Sequence, residues 1–365
     1  MNRADGRQRG IAMMLVLTVV VAASIMGMSY LSIASVRLAS STNMARASEA
    51  RYLAESGVQH AMWILRGDSS ALLAANSAHP LGPFQLGSDG GQYVMYAQPT
   101  GTPLQYTVTA RGTFCGITRT SQAVARIYSQ YNDKVRALGP IHLWRLGETS
   151  GDKAKDVTGD KDGTYKNTPL LGQAGAIYGD TDAAVHFDGT NDYVDLKKWD
   201  LSGSKMTILC WFKADAYNID DLRFISKANG IMADNHYWML GTLRIGADEF
   251  LRMRLRTGFS TATLNATTGK LDVGVWTMAS MTYDGTWTKL YKDSRLVGTG
   301  VKLGNIAQDN TVPVWIGGNP DGAASKPFLG TIDEVAMFDK ALTASDIDSL
   351  YQARQASVEL VKWEK

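Results

Sequence analysis

His186-Phe187-Asp188-Gly189-Thr190-Asn191-Asp192-Tyr193-Val194 reads as a strand, a tight turn and a second strand. Asp188-Gly189 is a turn dipeptide that tolerates the left-handed backbone a hairpin needs. The flanking runs, 183–187 and 193–196, are short, apolar at alternate positions and bounded by turn residues. The same texture extends outward in both directions. Strands are expected at 141–146, 206–213, 223–227, 237–241, 250–256, 276–283, 286–292, 295–300, 314–317 and 332–338, and a second turn dipeptide, Asp284-Gly285, separates two of them. Roughly twelve short strands in about 215 residues, with no fixed-period repeat, predict an all-β sandwich or jelly roll. Phe187, Tyr193, Trp211, Phe212, Trp276 and Phe338 are expected in its core.

Several of these phrases, in order, resemble the laminin G-like, concanavalin A-type jelly roll. The 186–194 turn matches that family's Phe-Asp-Gly-x-x-Asp-Tyr-Val pattern. Trp276-Thr277-Met278-Ala279, Tyr283-Asp284-Gly285 and Leu290-Tyr291 match its central strands and hairpin. Trp315-Ile316-Gly317-Gly318 and Phe328-Leu329-Gly330-Thr331-Ile332-Asp333-Glu334-Val335-Ala336-Met337-Phe338 match its closing strands, and Ala341-Leu342-Thr343 with Ile347 resembles its short final helix. The resemblance covers residues 141–355 and implies a binding domain, often one that holds calcium. Asp188, Asn191, Asp192 and Asp333 are the implied calcium ligands, since calcium asks for six to eight oxygens. Asp156, Asp160 and Asp162 form a second acidic loop. Solvated turn carboxylates are the competing reading of both sets.

Catalysis is not expected. Glycosidases of this fold carry two glutamates flanking an aspartate on one strand, whereas Asp333 and Glu334 are adjacent and would point to opposite faces. Neither a hydrolase nucleophile motif, nor a zinc motif, nor a phosphate loop occurs. Ligand binding is the better expectation, with a structural spacer of an envelope assembly that binds no ligand as the rival and an envelope glycosidase as the third reading. Trp199, Trp238 and Trp287 are candidate platforms for a glycan, and surface protein is the other partner class.

The opposite end of the chain sets the compartment. Residues 1–10 carry Arg3, Arg7 and Arg9 against Asp5, and residues 11–36 contain no charge. A helix needs about 20 apolar residues to span a bilayer, and the basic flank should stay in the cytoplasm. A signal peptide cut near Ala34 and a plain signal anchor are alternatives. Arg9-Gly10 followed by Ile11-Ala12-Met13-Met14-Leu15, with Ala54-Glu55-Ser56-Gly57 further on, resembles the prepilins, in particular minor pilins of the PilX type and type II secretion pseudopilins. The resemblance covers roughly residues 7–66. It implies cleavage by a prepilin peptidase between Gly10 and Ile11, association with other pilin or pseudopilin subunits, and a bacterial inner-membrane location with the remainder periplasmic or at the cell surface. Leu15 stands where major pilins carry a glutamate, which suits a tip or minor subunit.

Ala47, Ala50, Leu53, Ala54, Val58, Ala61, Met62 and Leu65 form one apolar stripe at helical spacing, and Gly67-Asp68 ends it. Residues 67–91 read as a loop. Strand-like runs at 92–97, 104–110 and 119–127 then make a meander. The expected division is a leader over 1–10, a transmembrane, pilin-like helix over 11–66, a small pilin-like β section over 67–136, the jelly roll over 137–355 and a tail over 356–365. The 365 residues include 37 basic and 35 acidic side chains for a net charge of +2, which gives no reason to expect nucleic acid. The two cysteines, Cys115 and Cys210, exclude a disulfide framework and are expected as buried free thiols.

Overall fold

The computed structural model describes residues 4–88, 90–320 and 326–364, with side chains described from Met13 onward. The chain divides into two compact units, residues 1–126 with 358–365, and residues 127–357.

In the first unit α1 (Ala4–Ile64) is a single helix of 61 residues, about 90 Å at 1.5 Å per residue. Side chains 13–46 are exposed, and the stretch Met13–Ile64 holds an apolar window of mean hydropathy 2.1, none of it buried. By length and composition this helix can cross a membrane. Thr18 donates its hydroxyl to the carbonyls of Met14 and Leu15, and Ser24 to that of Val20, which satisfies these two donors on the apolar surface.

The burial pattern changes at Ala50. Ala50, Leu53, Ala54, Val58, Ala61 and Leu65 are buried, packed on an antiparallel meander of β1 (Leu81–Gln85), β2 (Gln92–Pro99), β3 (Gln105–Phe114) and β4 (Ile117–Tyr128). Small residues on both elements permit close approach. A Cβ at Gly112 of β3 would lie 2.3 Å from the Ala50 carbonyl oxygen and 2.4 Å from the Ala54 nitrogen. The region expected as a loop contains β1 and a short helix, α2 (Ser70–Ala74). Cys115 and Gly116 form the β3–β4 turn with φ of 45° and 79°, so Cys115 is exposed at a hairpin tip, contrary to its expected burial.

The second unit begins with α3 (Tyr131–Ala137) and β5 (His142–Trp144). There follow β6 (Lys153–Ala154), β7 (Gly163–Lys166), β8 (Leu170–Ala174), β9 (Ala183–Asp188), β10 (Tyr193–Lys198), β11 (Met206–Ala214) and β12 (Arg223–Ala228). After them come β13 (His236–Ile245), β14 (Asp248–Thr257), β15 (Ser260–Asn265), β16 (Thr277–Tyr283), β17 (Trp287–Lys292), β18 (Arg295–Val301), β19 (Pro313–Ile316) and β20 (Leu329–Phe338). They make two antiparallel sheets. One runs β15-β14-β13-β12-β19-β10-β7-β6; the other runs β18-β17-β16-β11-β20-β9-β8, with β5 also paired to β20. Non-consecutive neighbours such as β12-β19-β10 are the crossovers of a jelly roll.

Between the sheets lies one core, with Trp144, Phe187, Trp199, Phe212, Phe224, Trp238, Tyr283 and Phe328 among its members. A second cluster covers the other face of the β11 sheet, where α3 and α4 (Ala344–Gln352) pack Tyr131, Val135, Ile347 and Leu350 against Trp211, Met278, Tyr291 and Phe338. Thr343 caps α4 by accepting from the Asp346 amide at 3.1 Å. The last residues are not a tail. β21 (Ser357–Glu364) joins the first unit's sheet beside β4, so the second unit is an insertion in the chain between β4 and β21.

A bulge in β20 alters the expected geometry of its acids. Leu209 of β11 faces Ala336 but Trp211 faces Asp333, so β20 carries one extra residue there, and Glu334 takes a φ of 51°. Strict alternation fails, and Asp333 and Glu334 are both buried instead of dividing between a buried and an open face.

Candidate ligand-binding site

The two-residue connection Gly246-Ala247 between β13 and β14, with Gly246 at a φ of 63°, forms one wall of a cavity of about 450 Å³. Tyr217, Arg244, Glu249 and the 270–273 segment form the rest of the lining. Glu249, near the start of β14, is held from two sides: Thr242 donates its hydroxyl to Oε1, and the Leu271 amide donates to its carbonyl at 2.8 Å. Arg244 Nε stands 3.6 Å from Glu249 Oε2, and the Arg244 guanidinium also reaches the Tyr217 carbonyl. Lys270 pairs with Asp248 at 2.7 Å.

One buried atom here, the Tyr217 hydroxyl, has no hydrogen-bond partner, and Glu249 Oε2 has only the longer ion pair with Arg244. Leaving such a group unpaired costs about 1–3 kcal/mol. Burial pushes the Glu249 carboxyl up despite Thr242 and Arg244, and pushes the Tyr217 phenol well up, with the Glu249 and Asp272 charges adding to it. A cavity with convergent donors and acceptors of both signs suits a hydroxyl-rich ligand better than an apolar one.

None of the sequence-derived ligand residues lines this cavity. Trp199 and Trp238 are 6% and 0% exposed; Trp199 packs at tilted angles against His142, Trp144 and Trp238 in the core, so neither can serve as a platform. Trp287, at the first position of β17, is 44% exposed and remains available. Of the implied calcium ligands, Asp188, Asn191 and Asp192 do share one turn. Their acceptors serve the turn itself: Asp188 Oδ1 takes the amides of Thr190 and Asn191, and Asp192 Oδ2 takes that of Asp188. Asp333 lies apart, inside β20, accepting the Ala176 amide at 2.7 Å. The four therefore do not form a calcium cage, and among the described residues no group of three or more His, Cys, Asp or Glu side chains is placed to hold a metal. Gly10 and Ile11 fall on the α1 backbone, with side chains outside the described residues.

The second acidic loop is structural. Asp156 accepts from His142 Nδ1 at 2.6 Å and from the amides of Leu143, Gly159 and Lys161. Burial works against its charge, but those bonds hold the carboxyl well below its ordinary range. Asp162 and Asp160 pair with Lys153 and Lys161, each at 2.7 Å. Sequence reasoning missed another ionic group, in which Arg145 bridges Glu334 at 2.7 Å, Asp180 at 2.8 Å and Asp182 at 3.1 Å. It also missed the cavity, whose residues come from three segments spread between Tyr217 and Val273 and carry no motif.

Residues 188–348 match the family described as the concanavalin A-like lectin/glucanases superfamily. No curated protein matches the chain. Among solved structures, domain 4 of an extracellular arabinanase from Geobacillus stearothermophilus, in complex with arabinotriose, is 17% identical, covering 62% of this chain and 98% of that one at a TM-score of 0.38. The carbohydrate-binding module of a Ruminococcus gnavus sialidase is 20% identical over 46% and 96% of the two chains, with a TM-score of 0.37. The binding domain of Paraclostridial Mosquitocidal Protein 1 is 19% identical at a TM-score of 0.43, over 57% of this chain and about half of that one, 52%.

Proposed function

We propose that this chain is a membrane-anchored, pilin-like subunit that displays a lectin-like sandwich outside the cytoplasm, and that the sandwich binds glycan in the cavity at Tyr217, Arg244 and Glu249. The observation that carries the glycan reading is that cavity, whose lining brings Arg244, Lys270, Glu249, Asp272 and Tyr217 together as donors and acceptors of both signs. The anchoring reading is supported by α1, exposed and apolar before residue 47 and packed on a small sheet from Ala50 onward. The domain binds and does not catalyse in this reading, because Asp333 and Glu334 are engaged inside β20 with Ala176 and Arg145.

Glycan-array screening of the full chain in detergent, followed by titration of the best neutral oligosaccharide, tests the cavity. Glu249→Gln and Tyr217→Phe should each weaken binding roughly tenfold, the scale of one or two buried hydrogen bonds, with the melting temperature little changed. Undiminished binding by both variants would move the glycan site away from this cavity, and no glycan bound at all would leave the sandwich as a spacer within an envelope assembly. Co-expression with a prepilin peptidase tests the anchor class: the expected mature chain begins at Ile11, and an uncut Met1 or a cut near Ala34 would sink the pilin reading.

A further inference from the structure

Residues 269–273, between β15 and β16, separate the Glu249 cavity from a second one and touch both sheets of the sandwich. On one side the Leu271 amide donates to the Glu249 carbonyl of β14 at 2.8 Å, and Lys270 pairs with Asp248 at 2.7 Å. On the other, Gly269 lies so close to the β17–β18 hairpin that a Cβ there would stand 2.5 Å from Val297 Cγ1 and 3.6 Å from Lys292 Cβ. Lys292 ties the two sides together. Its ammonium donates to the Lys270 carbonyl at 2.7 Å and stands 3.9 Å from Asp272 Oδ2.

The second cavity holds about 340 Å³ and is lined by Gly269, the turn Lys292-Asp293-Ser294-Arg295, and Tyr351 and Gln352 at the end of α4. This lining is fixed in place. Asp293 takes a φ of 58° in the two-residue turn between β17 and β18 and is held on β16 twice. Its amide donates to the Met278 carbonyl at 2.7 Å, and its Oδ1 accepts from the Met278 amide at 3.1 Å. The Tyr351 ring stacks on Trp211 with centroids 5.9 Å apart. Lys292 thus lines the second cavity while its ammonium reaches two residues that line the first, so little more than that side chain and the 269–271 backbone stands between them. Lys270 and Asp272 on the first side, and Arg295 and Gln352 on the second, are exposed, which leaves both cavities open to solvent. Both linings mix donors with acceptors and carry charges of both signs, a make-up that suits hydroxyl groups. A short sugar can occupy one cavity; only a chain of sugars can cross the 269–273 ridge and occupy both.

We propose that the two cavities are subsites of one groove whose ligand is a neutral polysaccharide, the Glu249 cavity taking one stretch of the chain and the Arg295 cavity the next. This rests on the glycan reading of the Glu249 cavity. Because the linings are already in place, the second contact costs little further ordering, and a linked second contact raises affinity without any change at the first.

The test is calorimetric titration of the full chain, in a detergent without a sugar head group, with the tri- and hexasaccharides of the malto-, cello-, xylo- and arabino-oligosaccharide series. In the series that binds, the hexasaccharide should bind about tenfold or more tightly than the trisaccharide. Arg295→Ala combined with Gln352→Ala, both at exposed positions, should bring the hexasaccharide down to the trisaccharide's affinity, leave the trisaccharide unchanged and keep the cooperative melt. Glu249→Gln should weaken both lengths roughly tenfold. A hexasaccharide bound no more tightly than the trisaccharide, or a length gain that survives the double substitution, would overturn the two-subsite groove and leave the Glu249 cavity standing alone. Binding of neither length in any series, or trisaccharide binding indifferent to Glu249→Gln, would overturn the Glu249 reading and the groove with it.

Discussion

Asp333 is an acid placed where a charge is costly. Only 3% exposed, it keeps one bond, from the Ala176 amide, and its Oδ1 has no partner. Burial, aided by the neighbouring Glu334 charge, raises its pKa well above the usual carboxylate range. The sign follows: a carboxyl whose folded-state pKa is raised contributes stability that is complete below its unfolded pKa, near 4, and is lost as pH rises through the folded value. Asp333→Asn, which keeps the shape and the acceptor and removes the titration, should therefore raise the melting temperature of the second unit at pH 7.5, by a gain of about 1–3 kcal/mol, and change it little at pH 4. Equal shifts at both pH values in a thermal melt would contradict this. At the same scale Cys115 should react with a maleimide in the folded chain, while Cys210, buried among core side chains with its thiol pKa pushed up, should react only after unfolding. Side-chain roles were the least legible part of the sequence. Nothing local separates Trp238, fully enclosed between the sheets, from Trp287 at an exposed strand end. Arg223 and Phe224 are placed by a bulge in β12 that alternation cannot foresee.

Elements were more legible, because turn dipeptides and apolar stripes are local. The stripe from Ala50 to Leu65 is the buried face of α1, and Thr343 caps α4. The strands that escaped notice, β6, β7, β8 and β15, are two to six residues long and flanked by Asp-, Lys-, Asn- or Thr-rich sequence, so their pairing comes from neighbours across the sheet. β1 escaped for the same reason, within a segment rich in Gly, Ser and Pro. The contact between α1 and β3 tests how tightly these elements are fitted. Gly112→Val would drive a side chain into helix backbone that cannot yield like a flexible side chain. The expected cost is about 1–3 kcal/mol or more, read as a lower melting temperature of the first unit with the second unit's transition unmoved. Gly27→Val, in the exposed apolar half of α1 where an added Cβ meets nothing within 4 Å, is the matched control and should leave the melt alone.

At the scale of the molecule the sequence suggests a head followed by an appended sandwich, and the fold revises that order. β21 lies beside β4 in the first unit's sheet although residues 127–357 separate them in the chain. Such a pairing is invisible to any local pattern: Ser357-Val358-Glu359-Leu360-Val361-Lys362-Trp363-Glu364 alternates as a strand would, but nothing in it says which sheet it joins. The arrangement also lets a single truncation act on one unit alone. A chain ending at Ser357 lacks β21 and exposes the edge of β4, an unpaired row of amides and carbonyls. Calorimetry in detergent should then show the first unit's transition lowered or broadened, while the sandwich melts as before and retains whatever ligand the full chain binds. If truncation instead lowered the sandwich transition and spared the first, β21 would be serving the second unit, and the insertion topology would have to be abandoned.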